Sequence, residues 1–479
     1  MPTFNDILVL LPEFYLVTAA CLLLLADAFI KPAQRGVLHW ISLAVVLVAI
    51  YLVVAGQPQG SVTAFDGMFI RDRAAEIIKV FALLCVVLVF IYARPYLVDR
   101  KQFQGEFYTL MIFAVIGVML LVSAGNLVMV YLGLELLTLS SYGLVALNRD
   151  SPLSSEAAMK YFVLGALSSG MLLYGMSMVY GASGTLDLAT LHASVSSNGM
   201  PHLMLFGMVF ILVGIAFKLG AAPFHMWLPD VYQGASTPVT TFLASASKLA
   251  AFGMAYRLLD TGLAGLVHDW RPMLAAIAVL SLVIGNLVAI MQTNLKRMLA
   301  YSTISHMGYL LIGFVNAGPE GYAAALFYAI SYALMGTAAF GMILALARAG
   351  FECEEIDDFK GLNQRAPWLA FLMMLVMFSL AGVPPLFGFF AKLVVLQAAI
   401  DAHMLWLAIV GVVFAIIGSF YYLRVVKVMY FDQPAEGTQV RVQPDALLRV
   451  VLSLNALVLL ALGLYWGPLI GWCRQAFIG

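Results

Sequence analysis

Residues 217–252 read FKLGAAPFHMWLPDVYQGASTPVTTFLASASKLAAF. The segment is apolar enough to lie in a membrane, but Pro223 interrupts it, and proline removes a main-chain hydrogen bond and breaks a helix. Lys218 precedes this break, His225 lies two residues after Pro223, and Lys248 lies in the next apolar run. A broken membrane helix with ionisable side chains beside it is typical of a transporter, because the freed backbone groups line a polar site near the membrane midplane.

The composition of the whole chain indicates an integral membrane protein. Of its 479 residues, 63% are hydrophobic and 10% are charged, whereas a typical soluble domain has about 25% charged residues. This leaves too little polar surface for a water-soluble enzyme or scaffold. The formal net charge is zero, so there is no basic excess for a nucleic-acid partner. Four widely spaced cysteines predict neither a disulfide nor a metal cluster.

Apolar runs along the chain predict the number of membrane helices. A helix needs about 20 apolar residues to cross the hydrocarbon layer, and such runs give about fourteen spans. We therefore expect an all-α membrane protein with a single polytopic domain over residues 1–479. Fifteen of the 25 Lys and Arg residues lie in or beside one set of loops and five lie beside the other. Because basic loops stay in the cytoplasm, both termini are predicted to face away from it.

An internal repeat relates the two halves of the chain. Span six, AAMKYFVLGALSSGMLLYG from Ala157, matches span eleven, AAALFYAISYALMGTAAFG from Ala323, at an offset of 166 positions. Span twelve contains a second break, GVPPLFGFF from Gly382, whose prolines are Pro384 and Pro385. A single proline in a membrane helix is often only a kink, but two breaks at matching positions indicate a repeated functional element.

The two copies are separated by five spans, and an odd separation inverts one copy relative to the other. We predict two inverted repeats of five helices each, spans four to eight within 106–259 and spans nine to thirteen within 272–431. The Pro-broken helices are spans seven and twelve. Residues 1–94 and 446–479 form flanking helices.

Several ionisable side chains fall within the predicted spans, where a charge costs about 2.5–3.5 kcal/mol at the bilayer centre. Lys79 lies near the start of its span, where its ammonium can reach the interface. Four deeper lysines face one deep carboxylate, so most of them lack a counter-ion. A desolvated lysine without a partner loses its proton more easily, as a proton relay requires. The candidate relay residues are Glu135, Lys160, Lys218, Lys248, His306 and Lys392.

Simpler interpretations remain open for some of these residues. Lys160 is nearest an interface and could be a snorkelling or ion-paired lysine. His306 could equally be a hydrogen-bonded packing residue, and His225 could cap freed carbonyls rather than carry protons. A sodium site would need several carboxylates or converging oxygens, and no ligand set for a metal or redox cofactor is visible. The residues alone therefore predict a proton-conducting membrane protein.

The opening segment, together with NLKRMLAYSTISHMGYLLIG from Asn294 and SLAGVPPLFGFFAKL from Ser379, resembles a known family. These motifs are similar to those of the antiporter-like membrane subunits of bacterial proton-translocating NADH:quinone oxidoreductase, respiratory complex I. The continuation DVYQGA and the run TFLASASK resemble subunit N in particular. The resemblance covers nearly the whole chain. It implies a multi-pass protein of the bacterial inner membrane with periplasmic termini.

The resemblance also implies roles for individual residues. It pairs Glu135 with Lys218, makes Lys248 the central lysine of span eight, and places His306 in the linking region of span ten. Lys392 resembles the terminal charged residue of span twelve, and Lys160 resembles a second lysine found in subunit N.

The resemblance further implies which partners and cofactors to expect. No cofactor is expected on this chain, because NADH, FMN, iron–sulfur clusters and quinone would be bound by other subunits. The expected partners are the other membrane subunits of the complex, including neighbouring antiporter-like subunits, and lipids. Two alternatives remain at this point: a subunit of a multi-subunit cation/proton antiporter, and a membrane subunit whose charges only hold helices together.

Overall fold

The computed structural model of the protein describes residues 4–31, 34–58, 60–100, 105–197, 202–433 and 445–477. Lys101 and Arg441, two of the cations counted for the cytoplasmic loops, lie outside these ranges. Within them the chain is mostly helical. The helices of the first half are α1 (Phe4–Val9), α2 (Leu11–Phe29), α3 (Gly36–Ala55), α4 (Arg73–Asp99), α5 (Gly105–Val122), α6 (Leu127–Val145), α7 (Pro152–Ser183), α8 (Leu188–Ser197), α9 (His202–Leu219), α10 (Trp227–Gly234), α11 (Thr237–Leu243) and α12 (Ala246–Tyr256).

A π-helical turn over Arg257–Gly262 and a short 3₁₀ turn over Ala264–Leu266 join the two halves. Another 3₁₀ turn covers Ile356–Phe359. The helices of the second half are α13 (Val267–Ile290), α14 (Leu295–Phe314), α15 (Pro319–Leu346), α16 (Leu362–Arg365), α17 (Pro367–Ala381), α18 (Phe387–Asp401), α19 (Leu405–Tyr430), α20 (Ala446–Leu464) and α21 (Gly467–Gln475).

One short β-hairpin departs from the all-α prediction. Strands β1 (Val62–Ala64) and β2 (Phe69–Arg71) pair antiparallel in the loop between α3 and α4. Phe65, Asp66 and Gly67 have positive φ and form the turn. Strands of three residues are too short to leave a periodic signal in the sequence, so the hairpin was not predicted.

Eleven helices in the described part of the chain are long and apolar enough to cross a membrane. The other three predicted spans fall on helices that are interrupted or more polar. Span eight is divided at Ala244 and Ser245 into α11 and α12, and span twelve is divided between α17 and α18. Span ten is α14, which begins with Lys296 and Arg297 and carries His306. The sequence predicted the break in span twelve but not the interruption in span eight, because no proline or glycine marks it.

Helix α15 forms the centre of the core. Its whole apolar window is buried, whereas only about a third of the windows of α2, α3, α19 and α20 is buried. It contacts α4, α11, α12, α14, α17, α18 and α20, which come from both predicted repeats and from the flanking helices. Alanine and glycine are frequent in α15, so neighbouring backbones can approach closely. The halves of the two divided spans, α11 with α12 and α17 with α18, therefore pack against this central helix.

Candidate proton-transfer site

The first break follows α9 and ends that half-helix with a Schellman motif. Gly220 has φ of 77° and is left-handed, a conformation that glycine adopts without strain. The N–H of Ala221 donates to the carbonyl of Ala216, and the N–H of Gly220 donates to the carbonyl of Phe217. The chain then turns through 221–226 before α10 begins at Trp227.

The second break has the same construction. Gly382 has φ of 88°, its N–H donates to the carbonyl of Ser379, and the N–H of Val383 donates to the carbonyl of Phe378. The hydroxyl of Ser379 accepts from the N–H of Gly388, at the start of α18. Each break is thus an ordered helix end whose last carbonyls need a further donor.

Lysine ammonium groups supply that donor at both breaks. Lys248, on α12, donates to the carbonyl of Leu219 at 2.7 Å. Lys392, on α18, donates to the carbonyls of Leu380 and Ala381 at 3.1 and 2.8 Å. A cation at a helix C-terminus is favoured by the helix dipole. The main chain therefore takes the place of a carboxylate counter-ion at these two buried lysines.

An aromatic ring lies under each of these ammonium groups. Lys248 is 5.2 Å from the centre of the Trp227 ring, and Lys392 is 5.2 Å from the centre of the Tyr309 ring. Cation–π contacts of this length stabilise a desolvated cation. Both lysines are almost completely buried. Each can therefore be held as a cation without forming an ion pair.

Glu135 and Lys218 lie near each other without direct contact. Their charges interact, but the ammonium nitrogen of Lys218 does not come within 4.0 Å of a carboxylate oxygen of Glu135. Lys218 instead donates to the hydroxyl of Thr138 at 3.2 Å, one helical turn beyond Glu135 on α6. The Oε1 atom of Glu135 is buried and has no hydrogen-bond partner. The pairing implied by the family resemblance is therefore an electrostatic interaction across a short gap, not a salt bridge.

A small cavity adjoins the ammonium of Lys218 between α6, α7 and α9. Its lining is partly apolar and partly hydroxyl-bearing. Lys248 also lies beside Trp227, close enough for its charge to interact with that of Lys218. The polar and aromatic side chains that line the cavity are Thr138, Tyr161, Ser168, Ser169, Phe217, Lys218 and Trp227.

His306 is the centre of a buried hydroxyl cluster beside the second break. Its Nδ1 is 2.7 Å from the hydroxyl of Tyr328, and its Nε2 is 3.0 Å from the hydroxyl of Tyr422. Tyr422 also hydrogen-bonds Ser302. The charge of Lys392 interacts with that of the imidazole. His306 thus bonds through both ring nitrogens, an arrangement that serves either a packing histidine or a proton carrier.

Lys160 lies apart from these groups. It is exposed and pairs with Glu156 at 2.7 Å and with Asp230 at 2.8 Å. Arg297 also pairs with Asp230 at 2.7 Å. Burial alone would raise the pKa of Asp230, but the hydrogen bonds from Lys160 and Arg297 outweigh burial and the pKa is lowered. The structure therefore places Lys160 in an ionic cluster that ties α10 to α7 and α14.

The residues of the breaks themselves are more exposed. Pro223, Pro384 and Pro385 lie at the surface of the chain, and His225 is half-buried. The carbonyl of His225 accepts from the N–H of Leu228 in the first turn of α10, and its Nδ1 is buried without a partner. These positions shape the breaks and do not contact the buried lysines through any hydrogen bond in the described structure.

A second buried charge cluster was not expected. Lys79 is 1% exposed and pairs with Glu13 at 2.8 Å and with Glu76 at 3.6 Å. Arg71 binds both carboxylate oxygens of Glu76 at 3.1 Å and donates to the carbonyl of Val9. The expectation that Lys79 reaches the interface is wrong, because two buried carboxylates hold it inside. Glu135 is likewise not the only acid within the helices.

Sequence reasoning also missed the aromatic and hydroxyl groups that connect the candidate residues. Tyr328 and Tyr332 lie one turn apart on α15, and Tyr421 and Tyr422 are adjacent on α19. Tyrosine hydroxyls inside predicted spans were the available signal, since a buried hydroxyl needs a partner. The partners, however, come from other helices and cannot be identified from spacing along one helix.

The left-handed glycine at the second break gives a testable consequence. A Cβ at Gly382 would lie 3.0 Å from Cδ and 3.2 Å from Nζ of Lys392. Gly382→Ala should therefore destabilise the detergent-solubilised protein by about 1–2 kcal/mol from backbone strain alone, measured by thermal unfolding. Gly170→Ala is the control, since nothing lies within 4 Å of its Cβ. Equal stability of the two variants would contradict the described helix end.

Residues 124–418 match the transmembrane family of NADH:quinone oxidoreductase and Mrp antiporters, and residues 3–93 match the N-terminal family of NAD(P)H-quinone oxidoreductase subunit 2. NADH-quinone oxidoreductase subunit N of Xanthomonas euvesicatoria is 55% identical over 100% of this chain and 98% of its own length. The chain belongs to the NADH-quinone oxidoreductase subunit N family. The subunit N of Acidithiobacillus ferrooxidans is 54% identical over 98% of this chain and 97% of its own.

Solved structures agree with membership of the subunit N family. A chain of respiratory complex I from Thermus thermophilus with bound aureothin aligns over 96% of this chain and 98% of its own. It is 30% identical, with a TM-score of 0.82. A chain of the Mrp complex from Dietzia has a TM-score of 0.86 over 99% of this chain and 97% of its own at 23% identity, and so shares the fold. The predicted antiporter-like fold and the predicted resemblance of the chain to subunit N are thus confirmed.

Proposed function

We propose that this chain is a proton-translocating membrane subunit of a bacterial NADH:quinone oxidoreductase. The observation that carries the proposal is the arrangement of Lys248 and Lys392, each buried without a carboxylate partner at the end of a broken helix. The names of the curated relatives and their identity of 50% or more support the assignment to the complex. Redox chemistry is assigned to other subunits, and no cofactor is assigned to this chain.

In the proposed path, a proton moves through Glu135, Lys218, Lys248, His306 and Lys392. Weakening of the electrostatic attraction between Glu135 and Lys218 would release a proton from Lys218 toward Lys248. Transfer through the His306 cluster would then load Lys392, next to the second break. The proximity of Lys218 to Lys248, and of His306 to Lys392, supports these two steps. Lys160 is assigned to the ionic cluster with Glu156, Asp230 and Arg297.

The proposal includes the full architecture of fourteen spans in two inverted repeats, 106–259 and 272–431. Two structural correspondences support the repeat. Asn126 caps α6 and Asn294 caps α14, each accepting from a main-chain N–H three residues later. Asn126 also forms a β-bridge with Asp187, as Asn294 does with Glu355. The same offset of 168 positions separates both members of these pairs.

We further propose a location in the bacterial inner membrane with both termini in the periplasm. The excess of cations in one set of loops supports this orientation. The proposed partners are the other membrane subunits of the complex, including neighbouring antiporter-like subunits, and lipids. Co-purification tests the assembly: a tagged chain should bring down a large complex with NADH:quinone activity, and recovery of a monomer would contradict the proposal.

Removal of the Lys218 ammonium tests the relay. Lys218→Ala should lower proton pumping by the assembled complex by about 10²-fold, because proton transfer by a positioned group contributes roughly that much or more. Pumping is measured as acidification inside inverted membrane vesicles after NADH addition, and assembly by native electrophoresis. Lys427→Ala is the control, because that lysine is exposed and pairs with Asp432 at the end of α19.

Wild-type pumping by an assembled Lys218→Ala complex would refute the relay. The antiporter alternative predicts sodium-dependent transport that persists without NADH. The purely structural alternative predicts that Glu135→Gln lowers assembly and pumping by equal factors. Proton pumping lost with assembly intact is the outcome expected here.

A further inference from the structure

Asn286 is a buried amide to which the proposed path assigns no role. It lies on α13 and is 1% exposed. Its Nδ2 donates to the carbonyl of Leu282 and to the hydroxyl of Ser305, both at 2.8 Å. Because a carbonyl can only accept, the bond to Leu282 fixes which end of the amide carries the N–H groups. The Oδ1 atom of Asn286 is therefore an acceptor with a defined direction.

Helix α19 is shaped to meet this acceptor. The hydroxyl of Tyr421 donates to Oδ1 of Asn286 at 3.1 Å. A Cβ at Gly418, one turn earlier on α19, would collide with the same oxygen. Glycine thus leaves the space that the amide occupies. The contact between α13 and α19 therefore holds the amide and the tyrosine in one arrangement.

The direction of the bond between Tyr421 and Asn286 fixes the directions of the bonds that follow it. A tyrosine hydroxyl has one proton to donate, and Tyr421 uses its proton on Asn286. Tyr421 also hydrogen-bonds Tyr422, so in this second bond Tyr422 is the donor. The single proton of Tyr422 is then also used. Toward its other partners in the described structure, Ser302 and Nε2 of His306, the oxygen of Tyr422 can only accept.

This chain of hydrogen bonds determines the tautomer of His306. Nε2 lies 3.0 Å from the accepting oxygen of Tyr422, so Nε2 carries the proton of the neutral ring. Nδ1 is then unprotonated and accepts from the hydroxyl of Tyr328 at 2.7 Å. A further proton can bind only at Nδ1, where Tyr328 then turns from donor to acceptor. Nε2 keeps its proton in both charge states of the imidazole.

We propose that Asn286 and Tyr421 are positioning residues that hold His306 as its Nε2–H tautomer, so that Nδ1 takes up and releases the relay proton beside Tyr328. A histidine that transfers protons needs its tautomer fixed by the bond at the other ring nitrogen. The opposite tautomer would direct the basic nitrogen of His306 at Tyr422. This inference rests on the proposed function, because it takes His306 as a member of the relay, and it assigns the nitrogen that acts.

Tyr421→Phe in the assembled complex tests the inference. The variant keeps the ring and removes the hydroxyl, so the proton of Tyr422 can turn toward Nε2 and part of His306 adopts the Nδ1–H tautomer. We expect proton pumping slowed by about tenfold, less than the roughly 10²-fold that a whole acid–base group contributes, because His306 is still present. Tyr92→Phe is the matched control, since Tyr92 is completely buried on α4 and its hydroxyl also bonds an asparagine, Asn455 of α20.

Infrared difference spectra, recorded with ring-labelled histidine before and after NADH addition, report the tautomer itself. The ring C–N stretch differs between the two neutral tautomers, and the band that disappears in His306→Gln belongs to His306. The wild type and Tyr92→Phe should show the band of the Nε2–H form, and Tyr421→Phe should add the band of the Nδ1–H form. An unchanged band in Tyr421→Phe overturns the inference, as does wild-type pumping by that variant.

Two substitutions at Asn286 separate the direction of the hydrogen bond from packing. Asn286→Asp keeps an oxygen that accepts from Tyr421, whereas Asn286→Leu keeps none. We expect the Nε2–H form of His306 to persist in the aspartate variant and to be partly lost in the leucine variant. The same tautomer in both variants would show that Asn286 only fills space, and so refute the inference. This pair also provides the test if Tyr421→Phe does not assemble.

His306→Gln and Lys218→Ala, measured beside these variants, distinguish the two proposals. If both slow pumping and Tyr421→Phe leaves the tautomer unchanged, only the positioning role fails. If neither affects pumping, the relay itself fails. Wild-type pumping by His306→Gln alone, or a wild-type spectrum without a His306 band, removes His306 from the relay and overturns this inference with it.

Discussion

Lys248→Met is expected to stop proton pumping while the complex still assembles. Methionine has a similar length and no charge, so the variant removes the proton-carrying group and leaves the carbonyl of Leu219 without its donor. The loss of a positioned acid–base group should slow pumping by about 10²-fold or more. Acidification of inverted vesicles, normalised to the amount of assembled complex, is the measurement.

The capping and proton-transfer roles of Lys248 can be separated with Lys248→Arg. Arginine keeps a cation at the end of α9 but does not release its proton at any physiological pH. We therefore expect Lys248→Arg to assemble as well as the wild type and to pump no better than Lys248→Met. Pumping by the arginine variant at the wild-type rate would show that the charge at the helix end matters and its titration does not.

Lys79→Met should cause the largest loss of stability among the single substitutions considered. It leaves Glu13 and Glu76 buried with only Arg71 to balance them. Removing one partner from a buried ion pair costs about 3–5 kcal/mol, because the other charge remains desolvated. Less assembled complex and a lower thermal unfolding temperature are expected, measured on solubilised membranes.

The double variant Lys79→Met/Glu13→Gln is the control for this explanation. It removes one positive and one negative charge together, leaving the bidentate pair of Arg71 and Glu76 intact. Stability should recover in part relative to Lys79→Met alone, since no uncompensated charge is then buried. If the double variant is no more stable than the single one, the loss comes from packing and not from charge.

Local signals in the sequence identified the two helix breaks and the charges near them. Proline and glycine affect the helix only within about one turn. The breaks at Pro223 and Pro384 could therefore be located from the positions of these residues in the sequence alone. Charged residues within apolar runs are equally local, and they gave Lys218, Lys248 and Lys392 as candidates. The opposite charges of Glu13 and Lys79 were also visible, but they lie in different spans and nothing in the sequence pairs them.

The partners of those residues depended on the packing of distant helices. Lys248 bonds a carbonyl 29 positions earlier in the chain, and Tyr422 reaches His306 across 116 positions. A main-chain carbonyl is present at every residue, so no sequence pattern could identify Leu219 as the partner. The interruption of span eight at Ser245 likewise arises from tertiary contacts, since no helix-breaking residue marks it.

The sequence by itself thus determined that the chain lies in a membrane, that two of its helices are broken, and which side chains carry charge. These properties follow from hydrophobicity and from backbone rules that operate over a few residues. Only the tertiary structure decided that the lysines cap half-helices, that Glu135 stands apart from Lys218, and that Lys79 is ion-paired. Each of these depends on which helix faces which, and helix packing brings together residues that are far apart in the chain.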